Sequence, residues 1–234
     1  MKTAVLIDGG FFLKRYKYIY NEKPDDPAVV AKRLHELAFR HLKENHNGKD
    51  IENILYRIFY YDAFPFQKKI HNPISRRLID FSKTPVSLFR LALFDELKKK
   101  RKVALRLGHL KDSFEWQIRP ARARELLNQK ISVSDLNEDD VFYTMRQKGV
   151  DIRIGLDIAS LSYKRLVDRI ILVSGDADFV PAAKVARREG IDFVLDPLWN
   201  NIDNDLFEHI DGLKSVCNKP ANYRSNNGKT DLCK

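Results

Sequence analysis

The chain has 234 residues, 44% hydrophobic and 32% charged with a net charge of +10, which suits one large domain, or one with a sizeable insertion, and a full core. No apolar run approaches the ~20 residues that span a bilayer, and the N-terminus enters a strand at once, so neither a membrane partner nor a secretory signal is expected. The two cysteines, Cys217 and Cys233, lack metal-ligand spacing, so neither a disulfide framework nor a zinc site is expected, and a cytoplasmic location fits best.

The first element, Thr3–Ile7, is a short apolar strand that ends in Asp8 and two glycines. From Asp26 to Asn45, Val29, Val30, Leu34, Leu37, Ala38 and Leu42 recur at helical spacing. Ile51–Tyr61 is the second core strand. The stretch 64–148 then breaks the rhythm. A helix is predicted from Thr84-Pro85 to the basic run Lys98–Lys102, a hairpin from Val103–Leu107 with Phe114–Ile118, and helices over Pro120–Lys130 and Leu136–Gln147. This gives an α-rich subdomain inserted in, or capping, the core. Val150–Tyr163 is helical, Arg169–Val173 is a buried strand, and Pro181 and Gly190 bracket a further helix. Ile191–Leu195 is the last strand, and the polar end, Asn218–Lys234, is expected to be disordered. Alternating strands and helices predict βαβ units around a central parallel sheet covered on both faces. The domain is expected over 1–213, with 214–234 as its basic tail.

Charge is unevenly divided. Residues 64–148 carry 19 basic and 10 acidic side chains, whereas 149–213 carry 7 and 12. A basic module beside an acidic one suits a metal-dependent enzyme acting on a polyanion. Solvation of helix faces is the alternative reading.

The chemistry points to the strand ends, where open α/β sheets bind ligands. Asp8 stands in a tight turn, as a ligand or a helix N-cap. Asp176 and Asp178 follow the strand Arg169–Val173 two residues apart. One could cap a helix, but two repelling acids call for a cation, a proton or a basic partner. Hard divalent cations such as Mg²⁺ favour carboxylate oxygens, and Ser174 could orient an acid or a water. Asp151 and Asp157 are six positions apart, about 120° short of whole turns, so they cannot share one helix face. Asp157, between Leu156 and Ile158, needs a partner if its segment packs on the sheet. Asp151 could be only an N-cap. Asp62 ends the second strand, as a ligand or in a salt bridge. The six histidines show no ligand spacing, and no phosphate loop or nucleophile elbow is present.

Val5-Leu-Ile-Asp-Gly-Gly10, Tyr60-Tyr-Asp62, Gln147-Lys-Gly-Val-Asp151, Leu156-Asp157 and Leu172–Phe179 together resemble the NYN domain, and more narrowly the LabA/DUF88 branch of the PIN-like nuclease superfamily. The resemblance spans 1–63 and 147–213. It implies a PIN-like Rossmannoid three-layer α/β fold and a ribonuclease dependent on Mg²⁺ or Mn²⁺. Asp8, Asp157, Asp176 and Asp178 are implied as catalytic metal ligands, with Asp151 and Asp62 as candidates to join them and Ser174 supporting them. Many relatives carry Asn where this chain has Gly10. RNA is the expected partner and DNA the alternative, while nothing in the pattern specifies a homo-oligomer. Lys14, Arg15, Arg153 and Lys164, extended by Arg76, Arg77 and Lys98–Lys102, are the expected phosphate contacts. Phe11, Phe12 and Tyr61 are the candidate base-stacking rings, with core packing as the alternative for each. The rival functions are a non-catalytic RNA-binding or regulatory protein, and a phosphatase or DNA nuclease using the same acids.

Overall fold

The computed structural model describes residues 1–46, 49–110, 115–144 and 147–220. The chain order begins β1 (Lys2–Asp8), α1 (Gly9–Tyr20), α2 (Pro27–Arg40), β2 (Lys43–His46), β3 (Lys49–Glu52), β4 (Ile54–Ala63), β5 (Lys69–His71) and β6 (Leu78–Asp80). It continues with α3 (Pro85–Lys98), β7 (Val103–Leu110), β8 (Glu115–Ile118), α4 (Pro120–Leu127), β9 (Val141–Thr144), β10 (Gln147–Lys148) and α5 (Val150–Tyr163). Last come β11 (Arg169–Val173), α6 (Val180–Arg188), β12 (Asp192–Asp196), α7 (Asn204–Glu208) and β13 (Gly212–Leu213).

A seven-stranded sheet runs in the order β10-β7-β4-β1-β11-β12-β13, with every pair parallel except the edge pair β10–β7. The central strands are apolar on both faces because both are covered. Val5, Ile7, Ile58, Tyr60, Ile171 and Val173 meet α1, α2 and α3 on one side. Ala4, Leu6, Phe59, Tyr61, Ile170 and Leu172 meet α5 and α6 on the other. Each such side chain is worth roughly 1.5–3 kcal/mol when fully buried. This is the three-layer α/β architecture that the alternation predicts. Among the described residues no helix is long and apolar enough to cross a membrane.

Local chemistry sets the helix starts. Asp8 caps α1, Asp26 and Pro27 open α2, and Thr84 and Pro85 open α3. Gly149, at φ 83°, makes the left-handed entry to α5 that a side chain would oppose.

Several expectations for 64–148 need correction. Val103–Leu110 does not form a hairpin with the segment after it. It joins the main sheet parallel to β4, from Ile58↔Val103 to Ala63↔Gly108. The partner of β8 is instead β9, which occupies the stretch expected as the helix Leu136–Gln147; Phe114 lies outside the described residues. Thus α3 and β7 belong to the core, and two separate excursions, 64–84 and, among the described residues, 115–144, leave its C-terminal rim. They meet in a cluster of rings, with Phe66 and Phe81 5.2 Å apart and both within 6 Å of Tyr143. The helix expected to run to Asn45 stops at Arg40, where a β2–β3 hairpin begins. Beyond 213, Lys214 N donates to Leu195 O, Ser215 Oγ to Asp196, and Cys217 is buried, so packing continues past the expected start of the tail. Residues 221–234 lie outside the described residues.

Gly9 shows how tightly the sheet and α1 meet. A Cβ there would collide with the Tyr60 ring and stand 2.7 Å from the Tyr61 carbonyl oxygen. Gly9→Ala is therefore expected to destabilise the protein by about 1–3 kcal/mol through overpacking, measured by urea unfolding. A loss below about 0.3 kcal/mol would show that β4 yields freely there.

Candidate active site

Parallel strands all end on one rim, and four acids converge there, Asp8, Asp151 and Asp176 together with Asp203, which caps α7. Asp8 ends β1, and its Oδ1 accepts the Phe11 N–H at 3.0 Å. Asp151 stands exposed in the first turn of α5. Asp176 follows β11. Its N–H donates to the buried Ser174 hydroxyl at 3.4 Å, and its Oδ1 accepts the Asp178 N–H at 3.0 Å. These local bonds absorb the polar groups of the turn and fix where its acids stand. Asp8, Asp151 and Asp176 line one open cleft of about 550 Å³ with Phe11, Lys14, Ser174, Asn200 and Asp203.

The acids burden one another. Burial is the main cause that raises the pKa of Asp8, and the charges of Asp151 and Asp62 add to it, against the lowering effect of the Phe11 N–H. Asp151, although largely exposed, is raised by partial desolvation where its turn meets the cleft, then by the charges of Asp176 and Asp178. No ion pair to Asp8, Asp151 or Asp176 occurs among the described residues.

Two further acids near the rim, Asp62 and Asp157, have found partners. Asp62 is fully buried, ion-paired with Arg90, and accepts hydrogen bonds from the Tyr60 hydroxyl at 3.1 Å and the Ala63 N–H at 2.8 Å. It acts on Asp8 by charge and does not line the cleft. Asp157 accepts from the Tyr61 hydroxyl at 2.8 Å and pairs with Arg106 Nε at 3.0 Å. It faces β4 and β7, turned from Asp151 as the helical angle requires. Asp157 thus has the partner its position demanded, but the partner is a guanidinium.

The expected phosphate contacts are scattered. Lys14 lines the cleft. The Arg15 guanidinium is taken by Leu198 O, with Nε at 3.2 Å and Nη2 at 2.9 Å. Arg153 is half-buried, its Nε without a partner among the described residues. Lys164 caps the far end of α5, roughly 20 Å along the axis from Asp151. Arg76 and Arg77 are exposed in the first excursion, Arg77 lying 3.7 Å from Glu138. The run Lys98–Lys102 precedes β7 and so occupies the opposite rim, where Lys98 and Lys99 pair with Asp95 and Glu96. The excess charge of 64–148 divides accordingly. Residues 64–84 have 5 basic and 1 acidic side chains, 85–110 have 7 and 2, and 111–148 have 7 and 7. Only the first share is a net positive charge in an excursion from the cleft's rim. Of the candidate rings, Phe12 and Tyr61 are in the core and Phe11 alone reaches the cleft.

Asn200 and Asp203 were not singled out in the sequence. They follow β12, and the strand-end reasoning applied to Asp8 and Asp176 points equally to them. A second hollow of about 600 Å³, lined by Lys184, Arg188, an Arg187–Asp211 pair and Asp192, lies at the far end of α6, and both its acids are paired, Asp211 with Arg187 and Asp192 with Arg169.

Carboxylate oxygens are the donor chemistry of Mg²⁺ and Mn²⁺. Among the described residues, however, no three His, Cys, Asp or Glu side chains are arranged to hold an ion as they stand. An ion here would have to reach some of these acids through intervening waters, an arrangement Mg²⁺ tolerates.

The raised carboxyls carry a pH signature. A group with a folded pKa above its unfolded value contributes stability below the unfolded value, near 3.9, that is lost as pH rises through the folded value. Asp8→Asn, which keeps the N-cap, and Asp151→Asn are thus each expected to raise metal-free stability at pH 7 but not at pH 3. Urea unfolding at the two pH values checks this, and a loss of stability at pH 7 contradicts it.

No curated protein matches the chain. A solved structure, that of a protein of unknown function from Vibrio parahaemolyticus RIMD 2210633, is 16% identical, with 93% of each chain covered and a TM-score of 0.45. A sequence model of the NYN domain matches residues 2–198, most of the described core and three of the four strand-end segments that build the cleft. The chain belongs to the NYN domain family, within the PIN-like nuclease superfamily.

Proposed function

We propose that the protein is a metal-dependent ribonuclease of the LabA/DUF88 branch, hydrolysing RNA phosphodiester bonds in the cleft at the C-terminal rim. The observation that carries the reading is the convergence of Asp8, Asp151 and Asp176, unpaired by any cation among the described residues, in a family of nuclease type. Asp8, Asp151 and Asp176 would hold Mg²⁺ or Mn²⁺, in part through water, with Asp178 adding negative charge beside them. When bound, the ion lowers the pKa of a water and offsets charge on the phosphoryl oxygens. Ser174 fixes the turn that aims Asp176. Lys14 draws the phosphate toward the acids, and the basic excursion 64–84 holds strand on the same rim. Asp157, committed to Arg106 and Tyr61, is structural in this scheme.

Cleavage of labelled single-stranded RNA and DNA with Mn²⁺ tests the reading. Asp8→Asn, Asp151→Asn and Asp176→Asn are each expected to lose on the order of 100-fold in rate, whereas Asp157→Asn stays within about threefold. Mn²⁺ at ~100 times its Kd should raise the wild-type Tm by roughly 5–10 °C, and the Asp176→Asn Tm by much less. Wild type that binds RNA but does not cut it favours the regulatory alternative. Unimpaired Asp8 and Asp176 variants contradict the assignment of the acids.

A further inference from the structure

Asn200 is brought to the cleft at an unusual conformational cost. Leu198 and Trp199 are consecutive non-glycine residues in the left-handed region, at φ 48° and 59°. Such strain persists only where the surroundings over-determine it. Here Leu198 N donates to Asp196 Oδ1 at 2.8 Å, and Leu198 O accepts both Arg15 bonds. Trp199 N donates to Ser215 Oγ at 3.1 Å, its Nε1 to Cys217 O at 2.9 Å, and Asn200 N to Pro197 O at 2.8 Å. Asp196 is itself held by the buried His41 at 2.8 Å.

The constrained loop delivers Asn200 to the cleft, with Asp203 following it. The Asn200 carboxamide is half-buried, lines the cleft, and accepts or donates no side-chain hydrogen bond among the described residues. Its Nδ2 would stand 3.2 Å from a Cβ placed on Gly175, and the Phe11 ring 2.9 Å from the same point. The amide and the ring therefore close over the backbone of Gly175, next to Asp176. Amide N–H groups are donors that add no charge to a cleft already crowded with carboxylates, so they suit a phosphate oxygen there.

We infer that Asn200 is a substrate-contacting residue, its carboxamide donating to a backbone phosphate of the bound strand beside the acids, and that Arg15 positions it by clamping Leu198 O. The inference rests on the nuclease reading above. It gives Arg15 a role opposite to the one its charge suggests, since the guanidinium serves the loop and not the phosphate.

Steady-state cleavage of single-stranded RNAs of several sequences with Mn²⁺, with binding followed by fluorescence anisotropy, tests it on the full chain. Asn200→Ala is expected to raise KM about five- to tenfold, the loss of one or two hydrogen bonds, with kcat within about twofold. The effect should be the same for every sequence, as a phosphate contact requires. Asn200→Asp should be worse than Asn200→Ala, because it adds a like charge. Arg15→Ala should reproduce the KM rise, Arg15→Lys should recover part of it, and the Arg15→Ala/Asn200→Ala pair should be no worse than either alone. An additive pair, an unchanged KM in Asn200→Ala, or a sequence-dependent loss overturns the inference while wild-type cleavage leaves the nuclease reading intact. Wild type that neither cuts nor binds RNA overturns both.

Discussion

Parallel pairing of β1 with both β4 and β11 is the constraint on which the rest of the molecule depends. Chain direction is then the same in the central strands, and whatever follows each strand emerges on one rim. Both faces of β1 are buried, so a slip of one residue would exchange the side chains of the two cores. The register is accordingly fixed, and Asp8 is held opposite Tyr61 and one step beyond Val173. The carboxylates do not attract one another into place. The apolar burial of the sheet holds them together against their repulsion, and the resulting excess of negative charge is local to the cleft.

The acids near the rim fall into two kinds by what neutralises them. Asp62 has Arg90, Asp157 has Arg106 and a tyrosine hydroxyl, and Asp196 has His41, Ser215 and a backbone N–H. A buried charge with such partners is a structural element, and removal of one partner strands the other. Asp8, Asp151 and Asp176 have only local backbone donors or none among the described residues. An acid without a cation, in a concavity shared with others, is poised for a ligand that brings positive charge.

The parallel core was legible because its strands are short, apolar and β-branched, and its helices carry capping residues at their starts. Asp8 and Asp176 were legible from their places at strand ends. The middle of the chain was not. Val103–Leu107 has the pattern of any buried strand, and nothing in a local window distinguishes a hairpin from a parallel partner reached across a helix. The segment before Val150 carries helical spacing in sequence yet pairs β9 with β8, because tertiary contact outweighs propensity in short segments. Helix rotation separated Asp151 from Asp157 correctly, but the apolar flanks Leu156 and Ile158 favoured Asp157 as the functional acid, whereas Asp151 is the one that lines the cleft. Net charge over 64–148 misled for a similar reason: its densest run, Lys98–Lys102, falls at the opposite rim once β7 enters the sheet. Asn200 was invisible because its signal is two left-handed residues that no glycine announces.

The central claim is that Asp8, Asp151 and Asp176, and not Asp157, face a divalent cation. A crystal structure grown with Mn²⁺, with anomalous differences recorded at the manganese edge, tests it most directly. The account predicts a peak in the cleft, contacted directly or through water by Asp8, Asp151 and Asp176, with the Asp157–Arg106 pair intact. A peak coordinated by Asp157, or a cleft free of manganese at saturating concentration, would contradict it.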